Sequence, residues 1–138
     1  MGYRRKSREM ALQMLFQGEL YPEKESEELS HHFCSHFKVK KTVLEFGVQL
    51  FSGVMKHRDE INKLIETYSD HWKVHRMSYI DRNILRIALY EMIYLDDIPA
   101  SVSIDEGIEI AKRYGSAESA AFVNGILDKI FKKEILAA

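Results

Sequence analysis

Apolar residues recur at spacings of three and four along almost the whole chain, the period of helices buried on one side. In the first such segment Ala11, Met14, Leu15 and Gly18 share a face, and the pattern stops near Leu20, ahead of Pro22. The acidic stretch from Glu23 to Glu28 suits a helix N-terminus, where carboxylates meet the positive end of the macrodipole. It opens a second helix that buries Leu29, Phe33 and Phe37. A third helix uses Val43, Leu44, Gly47, Leu50, Phe51 and Val54. After a break near His57–Asp59 a fourth continues through Ile61, Leu64, Ile65 and Tyr68. Residues 69–77 break the period and read as the connection between two halves, 1–68 and 78–138, of a single domain spanning 1–138.

Ser78 with Asp81 forms a capping-box pattern that opens a fifth helix. Its apolar positions fall in two stripes, one of Ile84, Leu85, Ala88, Leu89 and Met92, the other of Ile80, Ile87 and Tyr94. A helix apolar on two sides is a central one. Beyond Pro99, Ser103 with Glu106 reads as the capping box of a sixth helix, which ends at Gly115. Ser116 caps a seventh helix running to about Lys133. With two prolines and no hairpin signal between alternating runs, little room is left for strands. The expected fold class is all-α, with about seven helices. Gly47, Gly53, Gly107 and Gly125 fall inside helical patterns, each costing about 1 kcal/mol relative to Ala, and are expected where helices approach closely.

A chain of 138 residues can bury a core without disulfide or metal staples. The net charge of −1 excludes a generally polycationic nucleic-acid coat but leaves room for a local basic patch. A single cysteine, Cys34, excludes a disulfide framework and fits a reducing compartment. No apolar run approaches the length that spans a bilayer, and the basic start is not followed by a signal-type apolar stretch. The expectation is a cytoplasmic protein with no membrane partner.

Two surfaces carry candidate chemistry. Arg4, Arg5, Lys6 and Arg8 place four cations at a helix start, where they oppose the macrodipole unless a phosphate backbone lies across them. The same run reads equally as a solvated terminus. On the seventh helix Val123, Ile126, Leu127 and Ile130 define the buried stripe, and Phe122 lies roughly 90° from its centre, beside a face carrying Glu118, Lys129 and Lys132. An aromatic at the edge of a charged face can stack on an unpaired base, and Tyr114 offers a second ring; both also fit the boundary of the core. His32 and His36 flank Cys34 on a helix, and His71 and His75 repeat the spacing, but Cys34 points away from the first pair and no companion motif exists. Solvent-facing or internally satisfied histidines are the better reading. No phosphate loop, nucleophile elbow or acid–base pair is present, so no catalytic residue is assigned and an enzyme is not expected.

The stretch Asp81-Arg82-Asn83-Ile84-Leu85-Arg86-Ile87-Ala88-Leu89-Tyr90-Glu91 resembles the NusB family of bacterial transcription antitermination factors. So do Ser103-Ile104-Asp105-Glu106-Gly107-Ile108-Glu109-Ile110-Ala111-Lys112 and Phe122-Val123-Asn124-Gly125-Ile126-Leu127-Asp128, and the start Arg4-Arg5-Lys6-Ser7-Arg8-Glu9 with Ala11 and Leu15 is similar to that family's opening. The resemblance covers nearly the whole chain and is weakest between residues 21 and 75. It implies two small packed helical bundles, no cofactor and no reaction. It also implies binding of single-stranded boxA RNA in nascent ribosomal RNA, as a heterodimer with the ribosomal protein NusE, within a complex that includes NusA, NusG and RNA polymerase. Some members self-associate, so a homodimer stays open.

By position, the resemblance makes Arg4, Arg5, Lys6 and Arg8 phosphate contacts and places Tyr114, Glu118 and Phe122 in the RNA site. It places Phe16 and Asp81 on the NusE-facing surface. Two positions depart from the family pattern: Phe16 stands where Tyr is common, and Ala121 where a basic residue is frequent. Three other readings compete: the accessory domain of an RNA methyltransferase, for which the chain is too short to add a catalytic domain; a metal-responsive regulator using His32, His36 and Cys34; and a helical adaptor without RNA.

Overall fold

The structure, a computed structural model, describes residues 2–22, 26–36, 38–70 and 72–137. Of the residues singled out above, Phe37, His71 and positions 23–25 lie outside that set, as do the side chains of Phe33 and His36. The described regular structure is helical and without strands. It comprises α1 (Tyr3–Leu20), α2 (Ser26–His36), α3 (Lys41–Lys56), α4 (Arg58–Tyr68), α5 (Tyr79–Tyr94), α6 (Ala100–Tyr114) and α7 (Ser119–Ile130). A 3-10 turn covers Val74–Arg76 and a π-helical turn, Phe131–Leu136, continues α7 past the point where the sequence pattern ends near Lys133.

The chain forms two compact units, Met1–Lys56 and His57–Ala138. The division differs from the connection expected at 69–77. The apolar period of α4 is the same whichever unit it joins, and the structure packs α4 on α5 and α7.

In the first unit α1 and α3 are the principal pair, with α2 against both. Met10, Ala11, Met14 and Leu15 are buried on α1, Leu29 on α2, and Val43, Phe46, Leu50, Phe51 and Val54 on α3. Each large apolar side chain so enclosed contributes on the order of 1.5–3 kcal/mol. Ser7, fully buried, donates its hydroxyl to the Val43 carbonyl at 2.8 Å and fixes α1 against the start of α3. Gly47 sits at that crossing: a Cβ there would meet the Ser7 carbonyl oxygen at 3.3 Å.

The second unit is built around α5, which contacts α4, α6 and α7. Nine consecutive residues, Asn83 to Glu91, are buried, as two apolar stripes on one helix require. The Ser78 hydroxyl accepts from the Asp81 N–H at 3.1 Å, which realises the expected cap. The cap expected from Ser103 and Glu106 does not form. Pro99 already occupies the N-cap, its carbonyl accepting from the Val102 N–H, so α6 starts at Ala100. Ser103 is thereby inside the helix and buried, and donates to the carboxylate of Glu91 on α5 at 2.8 Å. Gly107 meets the expectation of close approach, its position 3.4 Å from Ile84 and 3.6 Å from Leu127. Gly125 does not: apart from its own helix, no atom of the described residues lies within 4 Å of where its Cβ would be, and it faces open space.

Candidate nucleic-acid interface

The basic start of the first unit separates by helical angle. Arg4 and Arg8 are one turn apart and share the side of α1 turned to α3, with guanidinium carbons 4.8 Å and 5.9 Å from the centre of the Phe46 ring. Arg8 is 4% exposed. It is therefore not the outward phosphate contact that its place in the basic run suggested; its guanidinium belongs to the α1–α3 packing, a cation over an aromatic face. Lys6 is exposed, and Arg4 and Arg5 are half-buried. Lys6 lines a recess of about 770 Å³ together with Gly2, Tyr3, Lys38, Val39, Lys40 and Val43. Among the described residues three lysines and no carboxylate line it, which favours an anion. Lys38 and Lys40 were not singled out in the sequence; the signal available was the Lys38-Val39-Lys40-Lys41 run ahead of α3.

In the second unit the corner between α6 and α7 carries Tyr114, Glu118 and Phe122. The Gly115 N–H donates to the Ala111 carbonyl at 2.9 Å and ends α6. The cap expected from Ser116 does not form: α7 starts at Ser119 with Glu118 at its N-cap and no side-chain cap bond, and the Ser116 N–H donates instead to the buried Ser119 hydroxyl at 2.9 Å. Gly115 has an ordinary φ of −93°, so its glycine is demanded by space: a Cβ would lie 2.4 Å from Ser119 Oγ and 2.8 Å from the Ala111 carbonyl oxygen.

This tight corner leaves Tyr114 exposed, with the Arg113 guanidinium 5.6 Å from its ring centre, and leaves Glu118 exposed, its carboxylate accepting from the Ser116 hydroxyl at 3.4 Å. Phe122, one turn after Glu118, is half-buried, at the core edge where the helical angle put it. Val123, Ile126, Leu127 and Ile130 hold the opposite stripe in the core. Aromatic faces beside a carboxylate acceptor suit an unpaired base and its amino group.

Phe16, on α1 in the first unit, is 41% exposed. Asp81, in the first turn of α5 in the second, is half-buried, and its Oδ1 is buried with no hydrogen-bond partner among the described residues. The polar residues of the long α5 motif point inward instead. The Arg86 guanidinium donates to Asn83 Oδ1 at 2.8 Å and to Asn62 Oδ1 at 3.0 Å, Asn83 donates to the Tyr79 carbonyl at 3.0 Å, and Glu91 is 1% exposed. A satisfied buried polar network of this kind fixes one packing of α4, α5 and α6.

Among the described residues no group of three or more His, Cys, Asp or Glu side chains could hold a metal ion. His32 is exposed, and burial pushes the Cys34 thiol above its ordinary value, which disfavours the thiolate a metal needs. No described helix is long and apolar enough to cross a membrane.

Residues 5–132 match the model of the NusB family. A transcription antitermination protein NusB of Desulfatibacillum aliphaticivorans is 48% identical over 130 residues, covering 94% of this chain and 90% of the relative. Among solved structures, T. maritima NusB superposes with a TM-score of 0.84 at 39% identity, over 94% of this chain and 91% of that one. A structure of antitermination factors NusB and NusE in complex with dsRNA gives a TM-score of 0.82 at 27% identity, over 96% and 98% of the two chains.

Proposed function

The chain belongs to the NusB family, a transcription antitermination family, and from that premise we propose that it binds single-stranded boxA RNA of nascent ribosomal RNA transcripts as a heterodimer with NusE. In this reading the pair joins NusA, NusG and RNA polymerase in the cytoplasm, with no cofactor and no chemical step. The observation that carries it is the α6–α7 corner, which is pinned by the hydrogen bonds of the Gly115 and Ser116 N–H groups and yet leaves Tyr114 and Glu118 exposed and Phe122 at the core edge.

Phe122 stacks on a base and Glu118 accepts from a base amino group, while Lys6 with Arg4 and Arg5 neutralises phosphates. Asp81 and Phe16 face NusE. With net charge −1, the chain alone has few phosphates within reach of its cations, so its own RNA affinity is low; a docked partner extends the footprint.

Two variants test the assignment together. Phe122→Ala weakens RNA binding by ~1–3 kcal/mol, the value of a lost stacking platform, and leaves NusE binding unchanged. Asp81→Lys weakens NusE binding while circular dichroism shows the fold intact. RNA affinity for the Phe122 variant equal to that of the parent removes the stacking role, and unaltered NusE affinity removes Asp81 from the partner surface.

A further inference from the structure

Trp72, the chain's only tryptophan, has no part in the sites above and is 55% exposed, although neighbouring residues of the same segment are buried. Residues 72–77 are not a slack connection. Val74 and Met77 are buried anchors. The Val74 N–H donates to the Glu66 carboxylate at 2.8 Å, Ser69 Oγ donates to the Trp72 carbonyl at 3.1 Å, and the Arg82 guanidinium donates to the Met77 carbonyl at 2.7 Å. The segment is therefore tied to α4 and α5 at several points, and the indole is presented outward from a fixed backbone. Leaving so large an apolar surface in water forfeits the burial that a core tryptophan would gain, and a pre-ordered exposed aromatic marks a binding surface.

The chemistry around the ring is cationic where it is unengaged. Trp72 lines a recess of about 380 Å³ with Asp70, Lys73, His75 and Arg76. The nearby carboxylates are already matched: Asp70 lies 3.9 Å from the Lys129 ammonium, and Glu66 lies 3.9 Å from that of Lys73. The Arg76 side chain is exposed and makes no hydrogen bond or ion pair among the described residues. The Lys129 contact also ties the recess to α7. Lys129 lies seven positions after Phe122 on α7, so the two share a helical face about 10 Å apart along the axis.

We propose that the Trp72 recess is a second platform for single-stranded RNA, the indole stacking on an unpaired base while Arg76 meets an adjoining phosphate. The proposal rests on the RNA-binding reading above and extends it along α7 from Phe122. Base stacking on an exposed ring needs no particular sequence, so this platform adds affinity for the strand beyond the base held at Phe122.

A single tryptophan makes the test direct. Anisotropy of a labelled boxA-type RNA and the emission of Trp72 are followed in one titration, with the protein alone and with NusE, against the emission of NusE alone. RNA is expected to quench Trp72 and shield it from iodide. Trp72→Ala is expected to weaken RNA binding about 5- to 150-fold, the span of one lost stacked base, with Trp72→Phe close to the parent and the thermal midpoint of both unchanged. Rising anisotropy with unchanged emission, and a Trp72→Ala variant that binds like the parent, overturns the platform while RNA binding stands. No RNA binding by either probe overturns both readings. A change in emission on adding NusE without RNA gives the face to a protein partner and overturns the nucleic-acid assignment.

Discussion

Gly115→Ala is the sharpest test of how the fold holds the α6–α7 corner. The added methyl would sit 2.4 Å from Ser119 Oγ, 2.5 Å from Ser119 Cβ and 2.8 Å from the Ala111 carbonyl oxygen. Carbon atoms in contact prefer ~3.5–4.0 Å, so the overlap is about an ångström, and two of the three atoms are backbone or bonded directly to it. Rotation of Ser119 can move its Oγ away, but its Cβ and the Ala111 carbonyl oxygen cannot move without the backbone, so relief requires the turn to open. Overpacking of this kind costs ~1–3 kcal/mol, and opening the turn also strains the Ser119 hydroxyl bond to the Ser116 N–H, worth about 1 kcal/mol. Backbone conformation adds nothing, because a φ of −93° is open to alanine.

The expected loss is about 2–4 kcal/mol, read by calorimetry as a thermal midpoint lower by roughly 6–15 °C. Because the same turn sets Tyr114 and Glu118, the proposed RNA site predicts that RNA affinity is lowered in the same variant. Gly115→Ala combined with Ser119→Gly removes two of the three clashes and recovers part of the midpoint. A Gly115→Ala protein that melts within a degree of the parent would show that the corner does not depend on that close approach.

Two further substitutions carry opposite expectations. Gly125→Ala meets open space on a helix and is expected to stabilise by about 0.5–1 kcal/mol, raising the midpoint by a few degrees; a lower midpoint would contradict the open face. Lys6→Ala is expected to lower the slope of log RNA affinity against log salt by about 0.7 without moving the midpoint, whereas Arg8→Ala is expected to destabilise the first unit and leave the slope alone. Equal salt slopes for the Lys6 variant and the parent, or a thermally silent Arg8→Ala, would reverse the assignment of those two cations.

Much of the helical framework was legible in the sequence because one-sided burial imposes a period on it. The two stripes of α5 anticipated a run buried from Asn83 to Glu91, and Val123, Ile126, Leu127 and Ile130 marked the inward side of α7 and so put Phe122 at its edge. Polar residues with long-range partners were not legible. Ser103 has the spacing of a cap, and only the position of Glu91 on another helix shows that its hydroxyl is used elsewhere. Arg8 has the charge of a surface residue, and the Phe46 ring that encloses it comes from α3. The division at Lys56–His57 was hidden for a similar reason, since Ile61 and Ile65 show α4 to be one-sided without naming the helices they meet. The α5 motif, one of the segments that carry the family resemblance, holds the core through Asn83, Arg86 and Glu91, so recognising it identifies the fold rather than a surface for RNA.

The measurement that bears most directly on the proposed function is fluorescence anisotropy of a labelled boxA-type RNA, titrated with this protein alone and with NusE, at two salt concentrations and against a scrambled strand. The account predicts weak, salt-sensitive binding by the protein alone, and tighter binding with NusE that prefers boxA over the scramble. Binding that NusE does not strengthen, or that treats the two strands alike, would contradict it.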